Sequence, residues 1–256
     1  MYDAYERYAL YWVPTPDQAI SRFGLDWTGW CAETGEYHRR RPVAGAAKTA
    51  GLSAGETARH GLHGVLAAPF ALAPGRNVWT LEQVIDHVAG ASPTIRVPSL
   101  RATVIAGRVA LVPLRPLEML DGLIGRTRAA LYGLTEREPE PAPSALRVQT
   151  GNGTTEMTAD RFHIPLTDQL DAGMAEAKLE VAEALLERLN FAPFRIGDVA
   201  LMGDPGAGRP LRVLRRYTLA AAEPTPARLG GLETRGPQLL AGLIERTSPS
   251  PSLCFG

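Results

Sequence analysis

Arg161-Phe162-His163-Ile164-Pro165-Leu166-Thr167 carries a core of an apolar residue, His, any residue, an apolar residue and Leu. The same core stands much earlier, in Gly61-Leu62-His63-Gly64-Val65-Leu66. Two such segments point to a duplicated unit with one histidine in each half. If each segment is a regular strand, side chains two apart share a face, so Val65 lies beside His63, and Arg161, Pro165 and Thr167 lie with His163. A second correspondence follows in the same order: Gly107-Arg108-Val109-Ala110-Leu111-Val112 and Gly197-Asp198-Val199-Ala200-Leu201-Met202 share G-x-V-A-L-apolar.

The flanking sequence predicts alternating strands and helices. Arg7 to Val13 is aromatic and β-branched and stops at Pro14, which reads as a strand. A short helix over 17–23 follows, with Trp27 and Trp30 extending its apolar surface. Residues 32–58 read as a loop rich in Gly, Ala, Thr and Ser, containing the basic run His38-Arg39-Arg40-Arg41. That run is either a solvated loop or an arm that catches phosphate. Thr80 with Gln83 reads as a capping box opening a helix that ends near Gly90. Residues 100–114 form a hairpin, 117–134 a helix, and Glu136 to Pro143 a stiff linker of alternating prolines. A short strand over 145–149, a helix over 171–190, a strand through 194–202, a turn at Gly203 to Gly208 and a returning strand over 211–219 complete the pattern. Residues 237–245 read as a last helix, and the Ser/Pro tail as disordered.

Composition narrows the function classes. The 256 residues carry 27 Lys plus Arg and 27 Asp plus Glu, so no net field draws the chain to nucleic acid or an anionic membrane. The start, Met1-Tyr2-Asp3-Ala4-Tyr5-Glu6-Arg7, has neither a basic nor an apolar leader region, and no apolar run reaches membrane-spanning length, so a cytoplasmic protein without membrane partners is expected. Cys31 and Cys254 lie far apart and read as reduced thiols. His60 and His63 have H-x-x-H spacing, but the sequence offers no further ligands, so neither a metal nor a cofactor is expected. The Gly203 to Gly208 loop lacks the Gly-Lys-Ser/Thr of a nucleotide-binding loop and reads as a hairpin turn.

Paired neutral-pH histidines facing across a cleft suit phosphoryl chemistry, one taking the proton of the attacking oxygen while the other donates to the leaving oxygen. The segments Arg7-Tyr8-Ala9-Leu10-Tyr11, Arg22-Phe23-Gly24, His63 to Phe70 and Arg161 to Thr167 resemble the 2H phosphoesterase superfamily, whose members carry two H-x-T/S-x motifs. They are most similar to its branch linked to phosphonate metabolism, with motifs R-Y-A-x-Y, R-F-G, F-H-A-T-L-K-x-P-F and F-R-F-H-M-T-L-T. The resemblance is good in the first half and around His163, and weak over 115–160 and in the tail. It implies an α+β, duplicated bilobal fold with two antiparallel sheets, helices outside and a central cleft. The expected division is an N-terminal lobe over 1–114, whose first strand can pair across lobes, a crossing helix and linker over 115–144, a C-terminal lobe over 145–222 and a terminal segment over 223–256.

The chain departs from the pattern where phosphate would be gripped: Val65 and Pro165 replace the two motif hydroxyls, and Ala67 replaces a Lys. Val65 keeps the shape of Thr without its donor; Pro165 deletes the hydroxyl and its own N–H, and implies an edge strand or a bulge. His63 and His163 are therefore the expected catalytic residues. Tyr8, Tyr11, Val65 and Pro165 are expected around the substrate, with Thr167, Arg161 and His60 as replacement donors. Three readings follow: a metal-independent phosphoesterase on a small cyclic or sugar phosphate, a repurposed acid/base enzyme on a non-phosphate substrate, or an inactive module that binds a ligand or partner.

Overall fold

Strand β1, Arg7–Trp12, divides the molecule by alternation: Tyr8, Leu10 and Trp12 enter the main hydrophobic core, while Ala9 and Tyr11 join a second buried cluster on the opposite face. The computed structural model describes residues 5–40, 55–136, 146–150, 153–157, 161–189 and 193–220. The helices, among these residues, are α1, Ala19–Thr28; α2, Glu56–His60; α3, Val78–Gly90; α4, Glu118–Leu131; and α5, Ala172–Leu189. The strands after β1 are β2, Trp30–Cys31; β3, Glu36–Tyr37; β4, Gly64–Phe70; β5, Ile95–Val97; β6, Leu100–Ile105; β7, Arg108–Pro113; β8, Leu146–Thr150; β9, Gly153–Met157; β10, Ile164–Pro165; β11, Phe194–Ile196; β12, Asp198–Asp204; and β13, Arg212–Thr218. The fold is α+β with antiparallel sheets, as the residue pattern implies.

A four-stranded sheet has the order β13-β12-β1-β4, and a three-stranded sheet the order β10-β7-β6. Both draw strands from both halves of the chain. β1 pairs with β12, Leu10 opposite Leu201, and β7 pairs with β10, Leu111 opposite Ile164. β11 and β5 pair antiparallel, Arg195 opposite Arg96, joining the two halves a third time. Non-local pairing of this kind cannot be read from alternation, which specifies a strand's faces but not its neighbour. Leu10, Leu66, Leu111, Ile164, Leu166 and Leu201 are all 2% exposed or less in the core between these sheets and the helices.

Several expectations change in detail. α1 runs past Gly24 to Thr28 because a side chain at that position would meet Leu62, the Cβ atoms only 2.6 Å apart, so the glycine lets helix and histidine segment touch. The stretch expected as loop over 32–58 contains β3 and the start of α2, elements too short to show a period. α3 is capped by Asn77, whose Oδ1 accepts from Thr80 N at 2.9 Å, not by Thr80, because the helix begins three residues earlier than the capping-box reading places it. The run 194–202 is two strands with different partners. The two G-x-V-A-L segments are not equivalent: Gly107 is the hairpin turn between β6 and β7 at φ 76°, whereas Gly197 links β11 to β12. β7 neighbours the His163 strand, and β12 is separated from the His63 strand by β1. The proline-rich linker after Glu136, Arg41 and the expectations beyond Ala220 lie outside the described residues.

Candidate active site

Each histidine stands immediately before a strand, His63 before β4 and His163 before β10, and each ring is held in the same way. His63 Nδ1 lies 2.9 Å from the Gly61 carbonyl oxygen, and His163 Nδ1 lies 3.1 Å from that of Arg161, in both cases two residues upstream. A carbonyl only accepts, so each Nδ1 carries the hydrogen and each Nε2 is left with its lone pair, the tautomer of a base. The segments touch: Val65 N donates to His163 O at 3.2 Å. Two histidines far apart in sequence are thus matched in tautomer and lie on adjoining backbone.

The two rings sit in different surroundings. His63 is 2% exposed and stacks on Tyr11, ring centres 4.2 Å apart. Tyr11 Oη lies 3.1 Å from His60 Nδ1, and the His60 ring centre is 5.2 Å from that of His63. His60 and Tyr11 therefore gather at His63. Tyr8 does not join them, because it lies on the opposite face of β1 in the main core. Val65 shares the Tyr11 cluster, and Pro165 pairs with Ala110 at the edge of the three-stranded sheet, where a missing N–H disturbs no outer ladder. Thr167 is 3% exposed with its Oγ1 accepting from Val109 N at 3.0 Å, so this hydroxyl orders the β7 backbone. Arg161 is half-buried; its carbonyl orients His163, and its charge acts on Asp121.

Burial pushes His63 down to about 3, helped by repulsion from His60, and His60 down to about 4, helped by Arg59. His163 is lowered as well, by burial and then by Arg108 and Arg128 against the opposing pull of its carbonyl partner. Unfolded histidine titrates near 6.5, so below that pH the unfolded chain binds protons that the fold refuses. The stability these rings contribute is complete above pH 6.5 and is lost as pH falls from 6.5 through about 4 and then 3. Each of the two rings should cost about 1.4 kcal/mol per pH unit within that window. Urea midpoints should hold level from pH 7.5 to about 6.5 and then fall towards pH 5, and His63→Asn should flatten that slope.

Two carboxylates fix the segment that presents His60 and His63. Asp204, fully buried, accepts from Arg59 at 3.0 Å and from Arg7 at 2.7 Å. Asp168, five residues beyond His163, accepts from Glu56 N at 3.1 Å and Thr57 N at 3.0 Å, capping α2 where Gly55 has no side chain to do so. A Cβ on Gly55, at φ 71°, would collide with Asp168 Oδ2, so the glycine is what admits the cap. Neither carboxylate was legible as part of the site: both contacts span more than a hundred residues. Of the basic run, Arg40 donates to Thr28 O at 2.6 Å and closes the end of α1. Among the described residues no three His, Cys, Asp or Glu side chains converge as a metal site would need, and no helix is long and apolar enough to cross a membrane.

The chain is an α+β protein whose paired histidine segments meet at one place. It belongs to the family described as protein of unknown function (DUF1045), whose model matches residues 65–149 and 157–212, more than half of the chain and inclusive of His163. It is also similar to ribose 1,5-bisphosphate phosphokinase PhnN of Laribacter hongkongensis (strain HLHK9), 29% identical over 238 residues, covering 87% of this chain and 54% of that protein. The chain thus spans about half the length of the curated relative it matches.

Proposed function

We propose that the protein is a metal-independent phosphoesterase of the 2H type, acting on a cyclic phosphodiester of a small phosphorylated sugar, with ribose the best-supported sugar. The observation that carries this reading is the matched holding of His63 and His163, Nδ1 on the carbonyl two residues back, which leaves two Nε2 atoms for proton transfer. The relative's name supplies the sugar: it acts on a ribose bisphosphate. The matched part is half of that relative, and this chain lacks the Gly-Lys-Ser/Thr loop that a nucleotide-using kinase of that kind would carry. A companion activity that makes or consumes a ribose phosphate fits the shared half better than phosphorylation itself.

In this mechanism water attacks phosphorus. One neutral Nε2 takes its proton, the bond to the ring oxygen breaks, and the protonated Nε2 of the other histidine delivers its hydrogen to that oxygen; one water is consumed and a phosphomonoester leaves. Burial keeps both rings neutral in the free protein, and an anionic phosphate placed against one of them raises its proton affinity, so the acid is charged by the substrate it serves. The test is a panel of cyclic sugar phosphates assayed without added metal. No turnover on that panel, with His163→Ala matching wild type, sinks the reading.

Val65→Thr separates this reading from a repurposed enzyme with a non-phosphate substrate. Val65 stands two residues from His63 beside Tyr11, where a hydroxyl would face the same ligand. A restored donor to a phosphate oxygen should strengthen binding by about 1.5–3 kcal/mol, read as a roughly ten- to hundredfold lower KM on the cyclic phosphate. A repurposed site would bind its substrate no better, or worse, with an unsatisfied hydroxyl.

A further inference from the structure

The β6–β7 hairpin lays a second set of side chains beside His163. Leu100, Ala102, Val104, Val109, Leu111 and Ile164 turn to the main core, so by alternation Arg101, Thr103, Arg108, Ala110, His163 and Pro165 share the other face. The register aligns them in rows. Pro165 pairs with Ala110, and Ala110 with Thr103; one step back along the antiparallel ladder, His163 falls opposite Val112, which pairs with Arg101. At about 4.8 Å per strand, Arg101 starts roughly 10 Å from His163 across a single Val, a span its long side chain can cover much of. On this face Ile105, Ala110 and Val112 are buried together as a small apolar cluster.

Arg101 is half-buried, and its Nε is a buried donor without a hydrogen-bond partner among the described residues. A buried guanidinium donor left unmatched is costly, and an acceptor is the group that relieves it. Arg108 lies on the same face at the hairpin end and is close enough for its charge to act on His163. The surroundings of His163 are therefore cationic, unlike the Tyr11 and His60 surroundings of His63.

We propose that Arg101, with Arg108 at the rim, forms an anion subsite that holds the phosphate oxygens of the substrate beside His163, replacing the motif hydroxyl that Pro165 removed. The inference rests on the phosphoesterase reading for its substrate, but not for its ligand chemistry. A guanidinium presents a fork of donors to two oxygens of one phosphate, so a single Arg reaching across the row substitutes for more than one hydroxyl. Thr167, the nearer hydroxyl in sequence, is 3% exposed with its oxygen accepting from Val109 N, so it is held against the β7 backbone.

The experiment is titration of the full-length protein with inorganic phosphate, followed by calorimetry and by the His163 ring resonances, for wild type, Arg101→Met, Arg101→Lys and Arg108→Gln. Arg101→Met should weaken phosphate at least tenfold while leaving the melting temperature unchanged or raised, since no described partner is lost. Arg101→Lys should retain part of the binding, and Arg108→Gln should lose less than Arg101→Met. On a cyclic sugar phosphate, Arg101→Met should raise KM more than it lowers kcat. Phosphate affinity identical in wild type and Arg101→Met, or no phosphate binding by wild type at millimolar concentration, overturns the subsite. Arg101-dependent phosphate binding without turnover of any cyclic phosphate supports the subsite and instead removes the acid/base reading of the histidines.

Discussion

His63→Asn and His163→Asn are each expected to lower turnover of a cyclic ribose phosphate by about 10²–10⁴-fold, the range that a positioned proton-transfer group contributes. In the proposed mechanism the two rings act in one step, one receiving a proton as the other gives one, so removing either disables that step. The double variant should accordingly be no slower than the worse single one by more than a few-fold. The effect should fall on kcat, with KM changed less, because Nε2 is needed when the phosphorus–oxygen bond breaks. Near-ultraviolet circular dichroism guards against loss of fold, chiefly for His63, which is 2% exposed and stacked on Tyr11. Additive losses from two folded single variants would show the histidines working independently and would count against a shared substrate.

Asp204→Ala is expected to destabilise the protein by about 3 kcal/mol, because it takes the buried carboxylate from the guanidiniums of Arg59 and Arg7 and leaves Arg59 only the exposed Glu56, 2.6 Å away. Arg59 is 8% exposed and reaches Asp204 at 3.0 Å, while Asp204 also accepts Arg7 and the N–H of Gly206. Much of that cost is the stranded charge rather than the lost attraction. Arg59→Met combined with Asp204→Leu should therefore recover a good part of it. For a domain of this size the single variant should melt on the order of 10 °C lower. The loss should also reach the site: Arg59 adjoins His60, and the segment from Arg59 to His63 carries the Gly61 carbonyl that holds the His63 tautomer. A melting temperature within a degree or two of wild type would show that Arg59 finds water in place of Asp204.

The faces of the strands were legible from the chain alone. Alternation put His63 with Val65 and His163 with Pro165, and the α+β class followed from apolar runs of period two beside runs of period three and four. Alternation also carried the signal for Arg101, since Leu100-Arg101-Ala102-Thr103-Val104 places it opposite the core. It could be noticed only once β6 was known to lie beside the His163 strand. Elements of two residues, such as β2 and β3, left no such signal because two residues are too few to show a period, and it is their pairing with each other that defines them. The assignment of Tyr8 to the site failed for the converse reason. A motif of consecutive letters groups residues that a strand sends to opposite faces.

By itself the sequence determined which residues can do chemistry and what was lost: two imidazoles in matching segments, and no hydroxyl two residues beyond either. Those are properties of residue type and local period, set by bonds along the chain. Tertiary structure alone decided that the two segments touch through Val65 and His163, that Asp168 caps the helix leading to His63, and that Arg101 lies one strand beyond the residue facing His163. These depend on which strand hydrogen-bonds to which. Backbone donors and acceptors are alike at every residue, so only the packing of the whole core selects their partners.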